Sequence, residues 1–155
     1  MTGARFARHR NDGVYRTPDD FRDAVGDRFG WPAIDLACDT ANQFGPEGVT
    51  PADDSLSLDW ALLATVQAYG WLNPPYGDIG AWARKSAESG ARVLMLVPAS
   101  IGANWFRDYV WGRARVYALN GRMSFDGVNP YPKDLILCDY GDEPGLEIWT
   151  WKKNR

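Results

Sequence analysis

The sequence has few of the residues that build metal centres, disulfide frameworks and catalytic triads. Its 155 residues include only two cysteines, Cys38 and Cys138, and a single histidine, His9. Two cysteines without a metal-type spacing predict neither a zinc site nor a disulfide framework, and one histidine argues against a Ser-His-Asp triad. No apolar run approaches the ~20 residues that cross a bilayer, and no signal-peptide pattern is visible. We therefore expect a cytoplasmic protein without a membrane segment.

The composition otherwise indicates one globular domain whose positive charge is concentrated at its ends. Hydrophobic residues make up 45% of the chain and charged residues 24%, as is usual for a globular protein with a sizeable core. Residues 1–15 lack apolar periodicity and predict a flexible basic arm before a single domain over 16–155. Residues 152–155 are also basic, although the formal net charge is −3. Basic ends suit phosphate contacts, but they are also common on solvated termini.

Strand-like and helix-like segments alternate, which predicts an α/β, Rossmann-like sheet that becomes mixed near its end. Thr17-Pro18 is typical of a helix start, with Thr17 as the cap and Pro18 in the first helical position. Asn120-Gly121 predicts a two-residue hairpin turn between strands at 115–119 and 122–125. The other predicted helices cover 61–67, 79–90 and 103–111, and the other predicted strands cover 31–37, 68–72, 92–98, 135–140 and 146–151.

The most informative motif is Asn73-Pro74-Pro75-Tyr76, which ends an apolar stretch. Proline fixes its own φ and restricts the residue before it, so the motif predicts a buried strand followed by a rigid turn. The turn would hold the Asn73 carboxamide and the neighbouring carbonyls in one arrangement beside an aromatic ring. Open α/β sheets bind ligands at the carboxyl edge. These acceptors at that edge suit a flat ligand that bears an amino group.

Together with other segments, this motif resembles the phage-type N6-adenine DNA methyltransferases, the small Dam-like family of phages and prophages. The resemblance extends from about Tyr15 to about Phe125. It rests on Tyr15-Arg16-Thr17-Pro18, Ile34-Asp35-Leu36-Ala37-Cys38-Asp39, Asp54-Ser55-Leu56 with Trp60, Asn73-Pro74-Pro75-Tyr76, Leu96-Val97-Pro98-Ala99 with Trp105-Phe106, and Asn120-Gly121-Arg122-Met123-Ser124-Phe125. The ordered set is more specific than any single motif. It implies a reduced Rossmann-like methyltransferase sheet with flanking helices and a C-terminal β-hairpin.

The resemblance implies transfer of a methyl group from S-adenosylmethionine to the exocyclic N6 amine of adenine in DNA. The lone pair of this amine is conjugated into the ring, so acceptors for its N–H groups favour a more pyramidal nitrogen and stabilise the charge that develops. The family pattern gives this role to the Asn73 carboxamide oxygen and the Pro74 carbonyl. Pro75 would keep the turn rigid, and Tyr76 would stack on the flipped base.

Other family positions imply a site for the methyl donor. Tyr15, Thr17 and Pro18 are expected at the methionine end of S-adenosylmethionine, where a helix N-terminus attracts a carboxylate. Asp35, Ala37 and Cys38 follow the first predicted strand, at the expected cofactor-binding turn. This sequence departs from the glycine-rich loop common at such turns, because the next glycines are Gly45 and Gly48.

Several assignments stay open in the sequence. Asp54 matches a family position near the adenine of the cofactor, but an acid in a surface turn would look the same. Asp39, Glu47 and Asp53 are alternatives for the acid that binds the ribose. Arg122 matches a family position that touches substrate or phosphate, but an arginine that simply pairs with an acid would look the same.

The expected partner is an adenine-containing DNA duplex, with phage or prophage DNA modification in a bacterial host as the implied role. The oligomeric state and the recognition sequence are not predicted. Two alternatives remain: a methyltransferase for an RNA base or a protein glutamine, and a non-catalytic nucleic-acid-binding relative. The intact Asn73 motif argues against the second.

Overall fold

The computed structural model describes residues 15–152, so most of the predicted basic arm and the last three residues lie outside it. Its α-helices are α1 (Asp19–Phe29), α2 (Ile79–Glu88) and α3 (Asn104–Tyr109). Its strands are β1 (Ile34–Asp35), β2 (Glu47–Gly48), β3 (Gly70–Leu72), β4 (Val93–Pro98), β5 (Arg115–Asn120), β6 (Leu135–Asp139) and β7 (Gly145–Thr150). No helix within this range combines the length and apolar character needed to span a membrane.

The strands form one mixed sheet in the order β2-β1-β3-β4-β6-β5-β7. Strands β2, β1, β3 and β4 are parallel neighbours, whereas β6 is antiparallel to both β4 and β5. Strand β7 pairs in parallel with β5. The carboxyl ends of all strands except β6 therefore lie along the same edge. This arrangement confirms the predicted Rossmann-like α/β sheet, including its mixed C-terminal part.

Helices cover both faces of the sheet. The side chains of β4 alternate between the two faces, and each of its six residues is buried. On one face Val93, Met95 and Val97 belong to the core that includes α2. On the other face Leu94 and Leu96 belong to the core that includes α1. A continuous apolar strand is therefore explained by burial on both sides.

The structure corrects three local predictions. The helix predicted over 61–67 is limited to a short 3-10 turn at Trp60–Leu62. Thr17 does not cap the first helix, because the cap position belongs to Pro18 and α1 begins at Asp19. The tight hairpin at Asn120-Gly121 is also wrong: β5 pairs with β6, across a connection that spans 121–134.

A buried ion pair joins the start of β4 to the end of β6. Arg92 Nη2 and Asp139 Oδ2 are 2.8 Å apart, and the Asp139 side chain is fully buried. Arg92 Nε also donates to Asp139 Oδ1, which accepts the Gly141 N–H as well. The pair therefore fixes the antiparallel strand next to the parallel half of the sheet.

We expect Arg92→Met to lower the free energy of unfolding by about 3 kcal/mol, because it leaves the Asp139 charge buried without its partner. The matched control is Arg84→Met, which breaks the exposed Arg84–Glu88 pair and should cost at most about 1 kcal/mol. Urea unfolding followed by tryptophan fluorescence measures both. Equal losses in the two variants would contradict this account of the sheet.

Candidate active site

A cavity of about 310 Å³ lies at the carboxyl ends of β1 and β3. Strand β1 has β2 on one side and β3 on the other, so the chain reverses its direction of travel across the sheet at this point. Such a switch point is where open α/β sheets leave a crevice for ligands. The volume falls at the lower end of the roughly 300–1,000 Å³ range of ligand pockets.

The cavity brings together residues from the three separate segments that the sequence singled out. Its walls come from the loop after β1, from the chain between β2 and β3, and from the turn after β3, with Trp82 of α2 added to them. They consist of Ala37, Cys38, Asp39, Asn42, Val49, Thr50, Pro51, Asp54, Ser55, Leu56, Asn73, Pro75 and Trp82. Of the predicted site residues, Ala37, Cys38, Asp54, Asn73 and Pro75 therefore meet here.

The Asn73 carboxamide is held by hydrogen bonds to the segment before α1. Its Nδ2 donates to the Tyr15 carbonyl oxygen at 2.8 Å and to Thr17 Oγ1 at 3.2 Å. The Tyr15 carbonyl can only accept, so this contact fixes which end of the carboxamide is the nitrogen. Both amide N–H groups are thereby used within the protein.

The other end of the carboxamide is left without a partner. Asn73 Oδ1 is buried and accepts no hydrogen bond from any group in residues 15–152. A buried acceptor without a donor costs about 1–3 kcal/mol, so such a group in a folded protein requires an explanation. Asn73 lines the cavity, and an N–H donor on a bound ligand would satisfy it.

Thr17 positions this carboxamide instead of capping a helix. Its hydroxyl oxygen accepts from Trp71 Nε1 at 3.2 Å as well as from Asn73. Trp71 is the middle residue of β3, so Thr17 ties the segment before α1 to the strand that carries the Asn73 turn. Thr17 is buried, Pro18 is half-buried, and neither lines the cavity.

Asp35 organises the turn after β1 from behind the cavity wall. Its two carboxyl oxygens accept the N–H groups of Ala37 (3.2 Å) and Phe44 (2.8 Å). Burial raises the pKa of Asp35 to about 7, although these hydrogen bonds and Arg22 act in the opposite direction. Asp35 therefore shapes the loop that follows it, without lining the cavity itself.

Three carboxylates are alternatives for a ribose contact in the sequence, and only one of them lines the cavity. Asp39 lines the cavity, whereas Glu47 and Asp53 do not. Asp39 Oδ1 accepts the N–H groups of Ala41 and Asn42, which holds it at the rim. The Asp53 carboxylate instead accepts from the backbone N–H and the hydroxyl of Thr50.

The remaining walls combine polar and apolar groups. Asp54 has a left-handed backbone, with φ of 53°, a conformation uncommon for residues other than glycine and frequent at ligand sites. Trp82 stacks on Trp60 at 6.2 Å between ring centroids. Burial raises the pKa of the Cys38 thiol to about 11, so Cys38 acts as a small wall residue rather than as a nucleophile. Carboxylates, apolar surface and an adjacent acceptor fit a ribose, an adenine ring and a polar tail.

Tyr76 lies in an aromatic cluster with Tyr15, Phe125 and Tyr131. Its ring centroid is 5.2 Å from that of Tyr15 and 6.3 Å from that of Tyr131. Phe125 contacts both Tyr15 and Tyr131, at 4.9 and 5.1 Å. Burial raises the pKa of the Tyr76 phenol well above its ordinary value, so the hydroxyl stays neutral. Tyr76 does not line the cavity between β1 and β3.

Some site residues have no clear signal in the sequence. Tyr131 stands within a polar loop, and its place beside Tyr76 depends on how the 121–134 connection folds. Asn42 lines the cavity because its side chain closes a turn with the Asp39 N–H at 3.0 Å. The Asp-x-x-Asn spacing is a turn signal that could have indicated this.

Arg122 lies outside the cavity, where it donates to the Tyr131 carbonyl and pairs with Asp134. Pro74 is buried within the turn.

A comparison with protein families places the sequence in a known group. The family model described as DNA N-6-adenine-methyltransferase (Dam) matches residues 6–136 of the chain. The match includes the Asn73 turn, the walls of the cavity and the aromatic cluster. No curated protein matches the chain.

We expect Thr17→Val to lower the free energy of unfolding by about 1–3 kcal/mol, because it leaves Trp71 Nε1 and one Asn73 N–H without an acceptor. The matched control is Thr150→Val on the edge strand β7, where the exposed hydroxyl only donates to Asn120 and the change should stay within about 0.5 kcal/mol. Urea unfolding compares the variants. If Thr17→Val were as stable as the wild type, the proposed hydrogen-bond network would be wrong.

We also expect a pH-dependent stability that originates at Asp35. Because its pKa is raised from 3.8 to about 7 on folding, the unfolded chain loses its proton at lower pH than the folded chain does. The contribution of Asp35 to the free energy of unfolding should therefore decline as pH rises from about 4 to about 7. Asp35→Asn should flatten this decline, whereas Asp59→Asn, at an exposed carboxylate, should leave it unchanged. Urea midpoints across this range test it; parallel profiles for all three proteins would refute it.

Proposed function

The chain belongs to the DNA N-6-adenine-methyltransferase (Dam) family, and we propose that it uses the Asn73 turn to methylate N6 of adenine in DNA with S-adenosylmethionine as the donor. Membership of the family carries the general activity, N6-methylation of adenine in DNA. The single observation that supports the placement of the reaction is the buried, unpartnered Asn73 Oδ1 beside the cavity.

In this proposal Asn73 accepts a hydrogen bond from the exocyclic amine of the target adenine. Its own N–H groups are held by Tyr15 and Thr17, so Oδ1 is aimed before the base arrives and needs no reorganisation during the reaction. The Pro74 carbonyl takes the second N–H of the amine. Two acceptors would stabilise the positive charge that develops on nitrogen as its bond to the methyl carbon forms and the sulfur–carbon bond of the donor breaks. The nitrogen would then release one of its two protons to solvent.

The cavity between β1 and β3 is the proposed site for the methyl donor. Asp39 accepts from the ribose hydroxyls, and Asp54 lies at the adenine end, with Leu56 and Trp82 supplying apolar surface. Asp35, Ala37 and Cys38 shape the turn against which the nucleoside packs. The segment of Tyr15, Thr17 and Pro18 before α1 approaches the methionine end. When bound, S-adenosylmethionine supplies a methyl group already activated by its sulfonium charge, so positioning accounts for much of the rate.

The target adenine is proposed to leave the duplex and contact Tyr76. Flipping a base costs a few kcal/mol, and stacking on an aromatic ring returns about 1–3 kcal/mol. Tyr15, Phe125 and Tyr131 already surround Tyr76. The base therefore enters an apolar environment in which the hydrogen bonds to Asn73 are strengthened by exclusion of water.

We propose that sequence preference comes from loops at the carboxyl edge of the sheet, namely 40–56 and 121–134. The role is modification of phage or prophage DNA in a bacterial host, with the basic residues before Tyr15 as additional phosphate contacts.

The decisive experiment incubates the purified protein with S-adenosylmethionine and unmethylated plasmid, digests the DNA to nucleosides and measures N6-methyladenine by mass spectrometry. Wild type should give the product. Asn73→Ala should reduce it about 100- to 1,000-fold, since loss of one preorganised hydrogen-bonding group costs about that factor.

Calorimetric titration with S-adenosylmethionine is the control for this variant. Asn73→Ala should bind the donor nearly as well as the wild type, because its carboxamide is assigned to the amine and not to the donor. Equal loss of donor binding and of product would show that Asn73 is structural and would reject the assignment. Donor binding by wild type without product on DNA would indicate another acceptor, such as an RNA base or a glutamine amide. Absence of donor binding would indicate a non-catalytic relative.

A further inference from the structure

A second cavity, of about 280 Å³, opens where β5 ends and β6 begins. Asn120, Gly121 and Arg122 form one side, and Lys133 and Asp134 form the other. Strand β5 runs parallel to β4, so this cavity lies on the same carboxyl edge of the sheet as the Asn73 turn. Its buried floor is formed by Met123 and Leu135.

Two cations line this cavity, and a third, Lys152, lies beside it with its ammonium 5.3 Å from the centroid of the Trp151 ring. Arg122 and Lys133 line it directly. Lys152 follows β7 and passes so close to Gly121 that a Cβ at Gly121 would lie 3.4 Å from Lys152 Cγ. Gly121 also has φ of +114°, which favours glycine. The Trp151 indole donates to the Gly121 carbonyl at 2.8 Å and so fixes the β7 end against the cavity.

The only acid that lines the cavity among the described residues is Asp134. Its side chain is 80% exposed, and it lies 3.2 Å from Arg122, which is 50% exposed. Such an exposed pair contributes at most about 1 kcal/mol, so an incoming anion can replace Asp134 at little cost. The positive charge here is notable because the whole chain carries a formal net charge of −3.

The same connection that lines the cavity also reaches the proposed base site. Residues 121–134 contribute Phe125 and Tyr131 to the aromatic cluster around Tyr76, and the Tyr131 carbonyl accepts from Arg122 Nη1 at 3.3 Å. Arg122 and Lys133 are therefore connected to the aromatic cluster around Tyr76 by a short stretch of chain. A nucleotide in contact with Tyr76 would carry its flanking backbone along this edge.

We propose that Arg122, Lys133 and Lys152 bind a backbone phosphate of duplex DNA next to the target adenine. The inference rests on the proposed function, and it adds Lys133 and Lys152 as positioning residues that hold the DNA strand and do not touch the reacting atoms. Phosphate contacts of this kind fix the register of a protein on DNA without reading its sequence.

The test measures how DNA affinity depends on salt, because each phosphate contact that is lost removes about 0.9 from the slope of log K against log[salt]. Fluorescence anisotropy with a labelled duplex of random sequence gives the slope for wild type and for Lys133→Gln/Lys152→Gln. The double variant should lose about one unit of slope, because both lysines are proposed to contact the same phosphate. In activity assays it should raise the KM for DNA several-fold and leave kcat at saturating DNA unchanged.

The control is the double variant Lys85→Gln/Arg113→Gln. Lys85 lies in the last turn of α2, at the opposite edge of the sheet, and Arg113 is exposed. This protein has the same net charge as the double lysine variant, so an equal fall in slope would reduce the effect to net charge and reject the phosphate site. Thermal unfolding checks that both variants fold.

The binding and activity readouts separate this inference from the proposed function. An unchanged slope in the double lysine variant, with methylation intact, would overturn the phosphate site alone. If the double lysine variant has a reduced slope but the wild type does not methylate DNA, the result would support the phosphate site and overturn the proposed reaction. A fall in kcat at saturating DNA with an unchanged KM would also contradict a positioning role for the two lysines.

Discussion

The site depends on the way in which the protein uses both N–H groups of the Asn73 carboxamide. The Tyr15 carbonyl and the Thr17 hydroxyl accept them, and Thr17 also accepts from Trp71 in the preceding strand. With both of its N–H groups engaged, the carboxamide has only its oxygen left to bind a further group. Asn73 Oδ1 is therefore buried without a donor among residues 15–152, at a cost that a folded protein tolerates when a ligand satisfies the group.

This arrangement also explains why the sheet and the helix before it must be assembled together. Helix α1 packs Phe21 and Val25 on the face of the sheet that holds Trp71, and this packing places the segment before the helix over the end of β3. The turn after β1 is fixed independently by Asp35, whose carboxyl group holds the backbone at Ala37 and Phe44. The hydrogen bonds of Thr17 therefore position the Asn73 wall of the cavity, and those of Asp35 position the wall after β1. Pro74 and Pro75 keep the Asn73 turn rigid.

The distribution of charge is consistent with a protein that binds DNA despite its acidic composition. Arg122 and Lys133 lie at the carboxyl edge of the sheet, around the end of β5. Elsewhere, Arg92 pairs with the buried Asp139 and Arg84 pairs with Glu88. Net charge alone would have argued against nucleic acid. What matters for a phosphate is the local field at the edge where the substrate lies.

The sequence by itself determined the elements whose pattern is local. The six apolar residues of β4, the helical spacing of α2 and the rigid Asn73 turn were predictable because periodicity and proline act within a few residues. The ordered motifs likewise identified the family. Tertiary structure decided the rest. Asn120-Gly121 has the local sequence of a tight hairpin, yet β5 pairs with the buried strand β6, which begins 15 residues after Asn120. Thr17 has the local sequence of a helix cap, yet it binds a side chain 56 residues away. Local rules could not decide these cases, because the contacts that outweigh a turn or a cap exist only once distant segments have packed together.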